Sequence, residues 1–319
     1  MGNVAFLFPG QGAHYIGMGR DFYNEYNAAR EVFWRADDIL GFPISELIFE
    51  GEEEELSRTA ITQPAILLTS IAIFKVLKER GFTPDAVAGL SLGEYSALVA
   101  AGAITLEDAL PLVQKRGVYM QEAVPQGQGA MVAIIGAKRA DVENICKQAS
   151  SAGIVQPANY NYPGQIVISG ECKAVEKAVE IANKDKLAGK MVALKVSAPF
   201  HCELMLPVQK KLSAELDKIE IKEPCVPIVS NVSARFITDP HQIKDALIKQ
   251  VSSAVRWEDS IVNLIDAGFD TFVEVGPGRV LTGFMNKISK EVRSLNVDNV
   301  ESWAQLKIKI VEGGSRKYA

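Results

Sequence analysis

The sequence predicts an α/β fold in two parts: a large domain on a parallel central sheet, and a small ferredoxin-like βαββαβ domain inserted into it. Three observations carry that expectation. Val4 to Phe8 and Ala86 to Ala88 are short apolar runs, each followed by a glycine turn and a helix-like stretch, as buried parallel strands are. Between 131 and 196 the pattern changes to strand, helix, strand, strand, helix, strand. The 319 residues are enough for two unequal domains. The predicted division is 1–124 with 197–319 for the large, discontinuous domain, and 125–196 for the small one.

The elements follow in order. The strand Val4–Phe8 breaks at Pro9-Gly10-Gln11-Gly12, and a helix carrying Phe22, Tyr23 and Tyr26 comes next. The acidic run Glu52 to Glu55 reads as a solvated helix start favoured by the macrodipole. Pro64 to Leu77 is apolar nearly all round, which predicts a buried helix capped by Gly81. Helices then run to about Glu122, and Val124 to Gly129 marks the boundary. Beyond it are a strand at Met131–Ile135, a helix at Asp141–Ala149, and strands at Val155–Tyr160 and Gln165–Ser169 joined through Asn161-Tyr162-Pro163-Gly164. A helix at Cys172–Ala182 and a strand at Met191–Val196 complete the insertion. Ile228–Asn231 and Thr271–Val275 read as strands of the large domain, and the polar tail from Glu312 to Lys317 is expected to fray.

Composition narrows the function classes. At 48% hydrophobic and 23% charged the chain reads as globular. A net charge of -5 argues against a general affinity for nucleic acid or an anionic membrane. Cys146, Cys172, Cys202 and Cys225 have neither metal-ligand spacing nor a disulfide framework, and read as reduced thiols of a cytoplasmic protein. No apolar run is read as long enough to span a bilayer, and the N-terminus reads as a first buried strand rather than a signal peptide.

The chemistry is expected at Gly89-Leu90-Ser91-Leu92-Gly93, between the strand 86–88 and a helix from Glu94. A tight strand-to-helix turn needs glycines on both sides and pushes the serine hydroxyl outward, as in α/β-hydrolase-like domains. The helix start aims free N–H groups at an oxyanion beside it. Chance gives roughly 0.1 such pentapeptides in a chain of this kind, so the flanking elements matter. A serine nucleophile needs a base, and the chain has three histidines. His241 follows Asp239-Pro240 in a surface turn, while His14 and His201 both lie in loops that could line a cleft. Residue type and position leave the choice between those two open.

Seven segments, in order, resemble one family. They are Phe8-Pro9-Gly10-Gln11-Gly12 with Gly17-Met18-Gly19, Thr62-Gln63-Pro64-Ala65, Gly89 to Ala97, Gln114-Lys115-Arg116-Gly117, Asn159 to Gln165, Pro199-Phe200-His201 with Leu204-Met205, and Glu274 to Gly278. Together they resemble the malonyl-CoA:acyl carrier protein transacylases over nearly the whole chain. The resemblance implies a Ser91 nucleophile and His201 as its base, with the histidine held by the main-chain carbonyl of Gln250. It implies an oxyanion hole from the N–H groups of Gln11 and Leu92, and Arg116 as the clamp for the malonyl carboxylate. Phe200, Asn161 and a supporting Gln63 complete the implied site. In related polyketide synthase acyltransferase domains, phenylalanine before the histidine goes with malonyl and serine with methylmalonyl. Leu90 departs from the family, which commonly has histidine there.

The implied activity is ping-pong malonyl transfer from malonyl-CoA to the phosphopantetheine thiol of acyl carrier protein, for fatty acid synthesis, by a monomer needing no metal or bound cofactor. Coenzyme A thioesters and acyl carrier protein are the expected partners. Lys184, Lys186 and Lys190, or Lys210 and Lys211, are candidate contacts for the acidic carrier. Three other readings stay open: a discrete trans-acting acyltransferase of a polyketide synthase, a serine esterase or thioesterase, and a non-catalytic subunit that docks carrier protein.

Overall fold

The computed structural model describes residues 3–312, and the polar tail expected past Glu312 lies outside the described residues. In chain order the strands are β1 (Asn3–Phe8), β2 (Ala86–Gly89), β3 (Gly129–Ile135), β4 (Val155–Tyr162), β5 (Gln165–Glu171), β6 (Lys190–Ala193), β7 (Ile228–Val229), β8 (Phe236–Ile237), β9 (Phe269–Val275) and β10 (Arg293–Val297).

A six-stranded sheet runs β10-β9-β1-β2-β7-β8, parallel throughout except for the antiparallel edge strand β8. Side chains alternate across β1 and divide its two faces. Val4, Phe6 and Phe8 join the main core with the helices Thr59–Glu79 and Leu106–Glu122. Ala5 and Leu7 face the other way, onto Trp257, Ile261, Leu281 and Met285 of the helices Trp257–Asp266 and Val280–Ile288. Both faces are thus covered, which is why β1 and β2 read as unbroken apolar runs.

The second sheet runs β4-β5-β3-β6 and is antiparallel throughout, the order of a ferredoxin-like βαββαβ unit. The helices Arg139–Ala149 and Cys172–Lys184 cover one face around Ile134, Ile145, Ile168 and Val175. Met131 and Ala133, the alternate residues of β3, point instead into the main core. A backbone seam ties the small sheet to the large domain just before the helix Trp257–Asp266: Val255 N–H donates to Ala158 O at 2.8 Å, and Tyr160 N–H to Val255 O at 2.9 Å. The proposed division at 125 and 196 falls between these two sheets.

Several elements differ in extent from expectation. The aromatic helix breaks at the extended Tyr26 into Arg20–Glu25 and Asn27–Leu40. The acidic run is exposed, but the helix it opens is only Glu53–Leu56. The buried helix starts at Thr59 rather than Pro64. It ends with Gly81 left-handed, Gly81 N–H donating to Lys78 O and Phe82 N–H to Leu77 O, a Schellman closure. At 21 residues this helix is long and apolar enough to cross a membrane, which corrects the reading that no run is; 83% of its apolar window is buried inside the protein, so it serves as a core helix. The small-domain hairpin turns on Pro163-Gly164 alone, with Tyr162 paired to Gln165 and Asn161 in β4 at an irregularity between the pairs of Tyr160 and Tyr162.

The glycines beside Ser91 answer to close approach. A Cβ on Gly93 would run into the Phe8 carbonyl, and one on Gly89 into the Gly93 carbonyl. Backbone has nowhere to yield there, so Gly93→Ala is expected to lower stability by about 3 kcal/mol or more in urea unfolding.

Candidate active site

Three neighbouring parallel strands deliver polar groups to one edge of the large sheet. Gln11 follows the end of β1, Ser91 the end of β2 and Asn231 the end of β7. The carboxyl ends of parallel strands are where α/β folds place ligand sites. Ser91 is left-handed, with φ 53. Asn231 braces it from both sides: Oδ1 accepts from Ser91 N–H at 2.7 Å, and Nδ2 donates to Gly89 O at 2.6 Å.

The turn brings the Ser91 hydroxyl to His201 Nε2, at 2.8 Å. His201 Nδ1 lies 2.8 Å from the Gln250 carbonyl, so the nitrogen facing that acceptor carries the proton and Nε2 is free to accept. His201 is also left-handed, at φ 61, with its N–H donating to Val251 O at 3.2 Å. Of the two histidines left open by the sequence, the structure brings His201 to Ser91. His14 lies across the cleft, 3.3 Å from Ser57 Oγ, and His241 is exposed on the first turn of the helix Pro240–Gln250.

Arg116 is 1% exposed. Nη1 donates to Gln63 Oε1 at 2.8 Å, and Nη2 to Gln250 Oε1 at 2.9 Å and to Ser91 Oγ at 3.1 Å. All three acceptors are neutral, Nε has no partner, and no carboxylate among the described residues forms a salt bridge with it. Glu107, a conceivable surface partner, pairs with Arg35 instead.

These groups line a cleft of about 390 Å³ between the two sheets. Gln11, Leu92, Gln63 and Phe200 stand in its wall with Met120, Met131 and Leu90. The N–H groups of Gln11 and Leu92 have no acceptor among the described residues. Asn161 is not brought to the cleft: its side chain donates to Gln165 Oε1 at 2.9 Å within the hairpin, and Asn159, one pleat back along β4, lines the wall instead. Among the described residues no group of three or more His, Cys, Asp or Glu could hold a metal ion.

Residues 5–306 match the family model described as an acyl transferase domain. The malonyl CoA-acyl carrier protein transacylase of Bacillus subtilis is 49% identical over 303 residues, 95% of each chain. The crystal structure of the transacylase of the same name from Clostridium perfringens superposes with a TM-score of 0.94 at 43% identity, covering 98% of both chains. A malonyl-transacylase solved in complex with its type II PKS acyl-carrier protein matches with a TM-score of 0.92 at 41% identity, over 95% of this chain and 98% of that one.

The chain belongs to the malonyl CoA-acyl carrier protein transacylase family. In this transacylase, burial and then the nearby Arg116 charge push the His201 pKa down to about 4, against the Gln250 hydrogen bond that raises it. Burial also lowers the pKa of Arg116 and raises that of Glu94 to about 7. Glu94, Asn231 and Asn159 were not foreseen as site residues. A carboxylate inside the apolar stretch Gly93–Ala100 was the visible signal for the first, and an asparagine closing a predicted parallel strand for the second.

With its folded pKa below its unfolded value, His201 stays neutral through the range in which a free imidazole titrates. NMR titration of its ring is expected to show no protonation step near 6.5 and an onset only as pH approaches about 4. A midpoint between pH 6 and 7 would contradict the electrostatics of the site.

Proposed function

We propose that the chain moves the malonyl group of malonyl-CoA to the phosphopantetheine thiol of acyl carrier protein through an ester on Ser91, supplying fatty acid synthesis. The observation that carries this reading is the buried Arg116, hydrogen-bonded only to neutral groups and 3.1 Å from the Ser91 hydroxyl. A desolvated guanidinium with no carboxylate in direct contact favours one, which it can grip through two parallel charge-assisted bonds. The malonyl carboxylate lies two bonds from the thioester carbonyl carbon, so it falls on Arg116 when that carbon is at Ser91.

His201 Nε2 takes the Ser91 proton as Oγ attacks the thioester carbonyl. The oxyanion forms between the free N–H groups of Gln11 and Leu92, each such donor typically supplying about 3–4 kcal/mol. His201 returns the proton to the departing coenzyme A sulfur. The carrier's thiol enters, gives its proton to His201 and attacks the ester carbonyl, and Ser91 leaves with that proton. Ser91 and His201 thus act as a Ser-His pair with main-chain support from the Gln250 carbonyl and amide support from Asn231. No cofactor enters these steps. Phe200, with Met120 and Met131, forms the apolar wall where a branch methyl would fall, a discrimination typically worth about 1–3 kcal/mol.

For the carrier, the exposed Lys184, Lys186, Lys190 and Lys210 suit an acidic partner better than Lys211, which pairs with Glu122 at 3.5 Å. The four free cysteines support a reducing, cytoplasmic setting. A second reading, service to a polyketide synthase, draws on the relative solved with a type II PKS carrier protein. Its chemistry is the same and only the acceptor differs.

Intact-protein mass spectrometry with malonyl-CoA, acetyl-CoA and methylmalonyl-CoA tests the reading. A malonyl adduct is expected that disappears in Ser91→Ala and that phosphopantetheinylated carrier discharges. His201→Ala should slow its formation about 10²–10⁴-fold. Arg116→Ala should cut the malonyl-over-acetyl preference about a hundredfold or more. Rapid coenzyme A release with no lasting adduct would instead indicate a hydrolase, and no adduct at all a docking subunit.

A further inference from the structure

Glu94 is 1% exposed and opens the helix that follows the serine turn, yet no step written above uses it. Its Oε2 accepts two hydrogen bonds, from Gln250 Nε2 at 2.7 Å and from the Asn231 backbone N–H at 3.2 Å. The same Gln250 nitrogen donates to Ser91 O at 2.9 Å, while the Gln250 oxygen accepts from Arg116 at 2.9 Å.

A primary amide has nearly the same shape after a half-turn, so sterics alone leave its orientation undecided. Turned over, Gln250 would set N–H against the Arg116 N–H groups and its oxygen against the Ser91 carbonyl. A backbone N–H cannot turn over. Asn231 therefore fixes Glu94 Oε2 as an acceptor, that oxygen together with the Ser91 carbonyl selects the Gln250 nitrogen, and the Gln250 oxygen is left for Arg116. We propose that Glu94 is a positioning residue that fixes the amide orientation of Gln250 and, through it, the guanidinium of Arg116 that receives the acyl carboxylate.

This rests on the function proposed above. The relay needs an acceptor rather than a charge. Burial raises the Glu94 pKa to about 7, against the pull of Gln250, Asn231 and Arg116, and Oε2 can accept both bonds in either protonation state. A glutamine at 94 can present its carbonyl oxygen to the same two donors, whereas leucine cannot.

The test measures Ser91 acylation by malonyl-CoA and by acetyl-CoA in the full-length chain. Glu94→Leu is expected to lower the malonyl-over-acetyl ratio of kcat/KM about tenfold or more, and Glu94→Gln to restore it to within about threefold. Equal slowing of both donors by Glu94→Leu, or loss of the ratio in Glu94→Gln as complete as in Glu94→Leu, overturns the proposal. Should Glu94→Leu not fold, Glu94→Met, close in length to the parent side chain and without an oxygen acceptor, breaks the relay at the same point. A fall in the ratio supports the proposal, and an unchanged ratio overturns it. A crystal structure of Glu94→Leu or Glu94→Met reads the relay without substrate. Arg116 displaced supports it and Arg116 unmoved overturns it, whichever acyl group the parent accepts, whereas a parent forming no malonyl ester fails the functional reading alone.

Discussion

Asn231 holds Ser91 N–H at 2.7 Å and Gly89 O at 2.6 Å, so a single amide spans the turn that carries the nucleophile. A non-glycine residue in the left-handed region costs on the order of 1–2 kcal/mol, and the hydrogen bonds across the turn offset that cost. The outcome is geometric. Only with Ser91 in this conformation does its hydroxyl meet both His201 Nε2 and Arg116 Nη2. Gln250 then links the surroundings, accepting from His201 through its main chain and from Arg116 through its side chain. Relaxing the turn would leave those partners in place with nothing between them.

Electrostatics divides the labour within a few ångströms. Burial disfavours charge on His201, Glu94 and Arg116 alike, yet with different consequences. His201 and Arg116 are both potential cations, and repulsion adds to burial in keeping the imidazole neutral, the form that can accept a proton. Arg116, whose unperturbed pKa is far higher, remains the cation. One buried site thus holds a base and a fixed positive charge side by side. In a cleft walled by Phe200, Met120 and Met131, little water screens that charge.

Local pattern disclosed what local pattern controls. The strand, turn and helix around Ser91 could be read from glycine spacing and apolar runs, and the small sheet from its alternating order. Choosing His201 over His14 could not, because the contact joins residues 110 apart in sequence; the choice came from resemblance and then from geometry. Strand β10, with only Val297 fully buried at its end, and the two-residue β8 carry too little periodicity to stand out. Asn161 and Asn159 share one side of β4 by the two-residue period, so pattern cannot say which reaches the cleft; irregular pairing along β4 moves that decision to the tertiary register. Asn231 and Glu94 act through neighbours distant in the chain, and a polar residue in an apolar stretch looks the same whether it braces a turn or caps a helix.

The sheet order carries a temporal consequence. Strand β1, at the start of the chain, is flanked by β2 and by β9, which is made more than 250 residues later, between Phe269 and Val275. The groups around Ser91 arrive late as well: the base at 201, the turn brace at 231 and the imidazole support at 250, with the whole small domain synthesised in between. Such non-local closure makes for slow assembly of a parallel sheet. It also means that a nascent or truncated chain ending before Gln250 displays a serine with neither an oriented base nor an anchored guanidinium. The reactive arrangement is therefore complete only once the chain through Gln250 is in place.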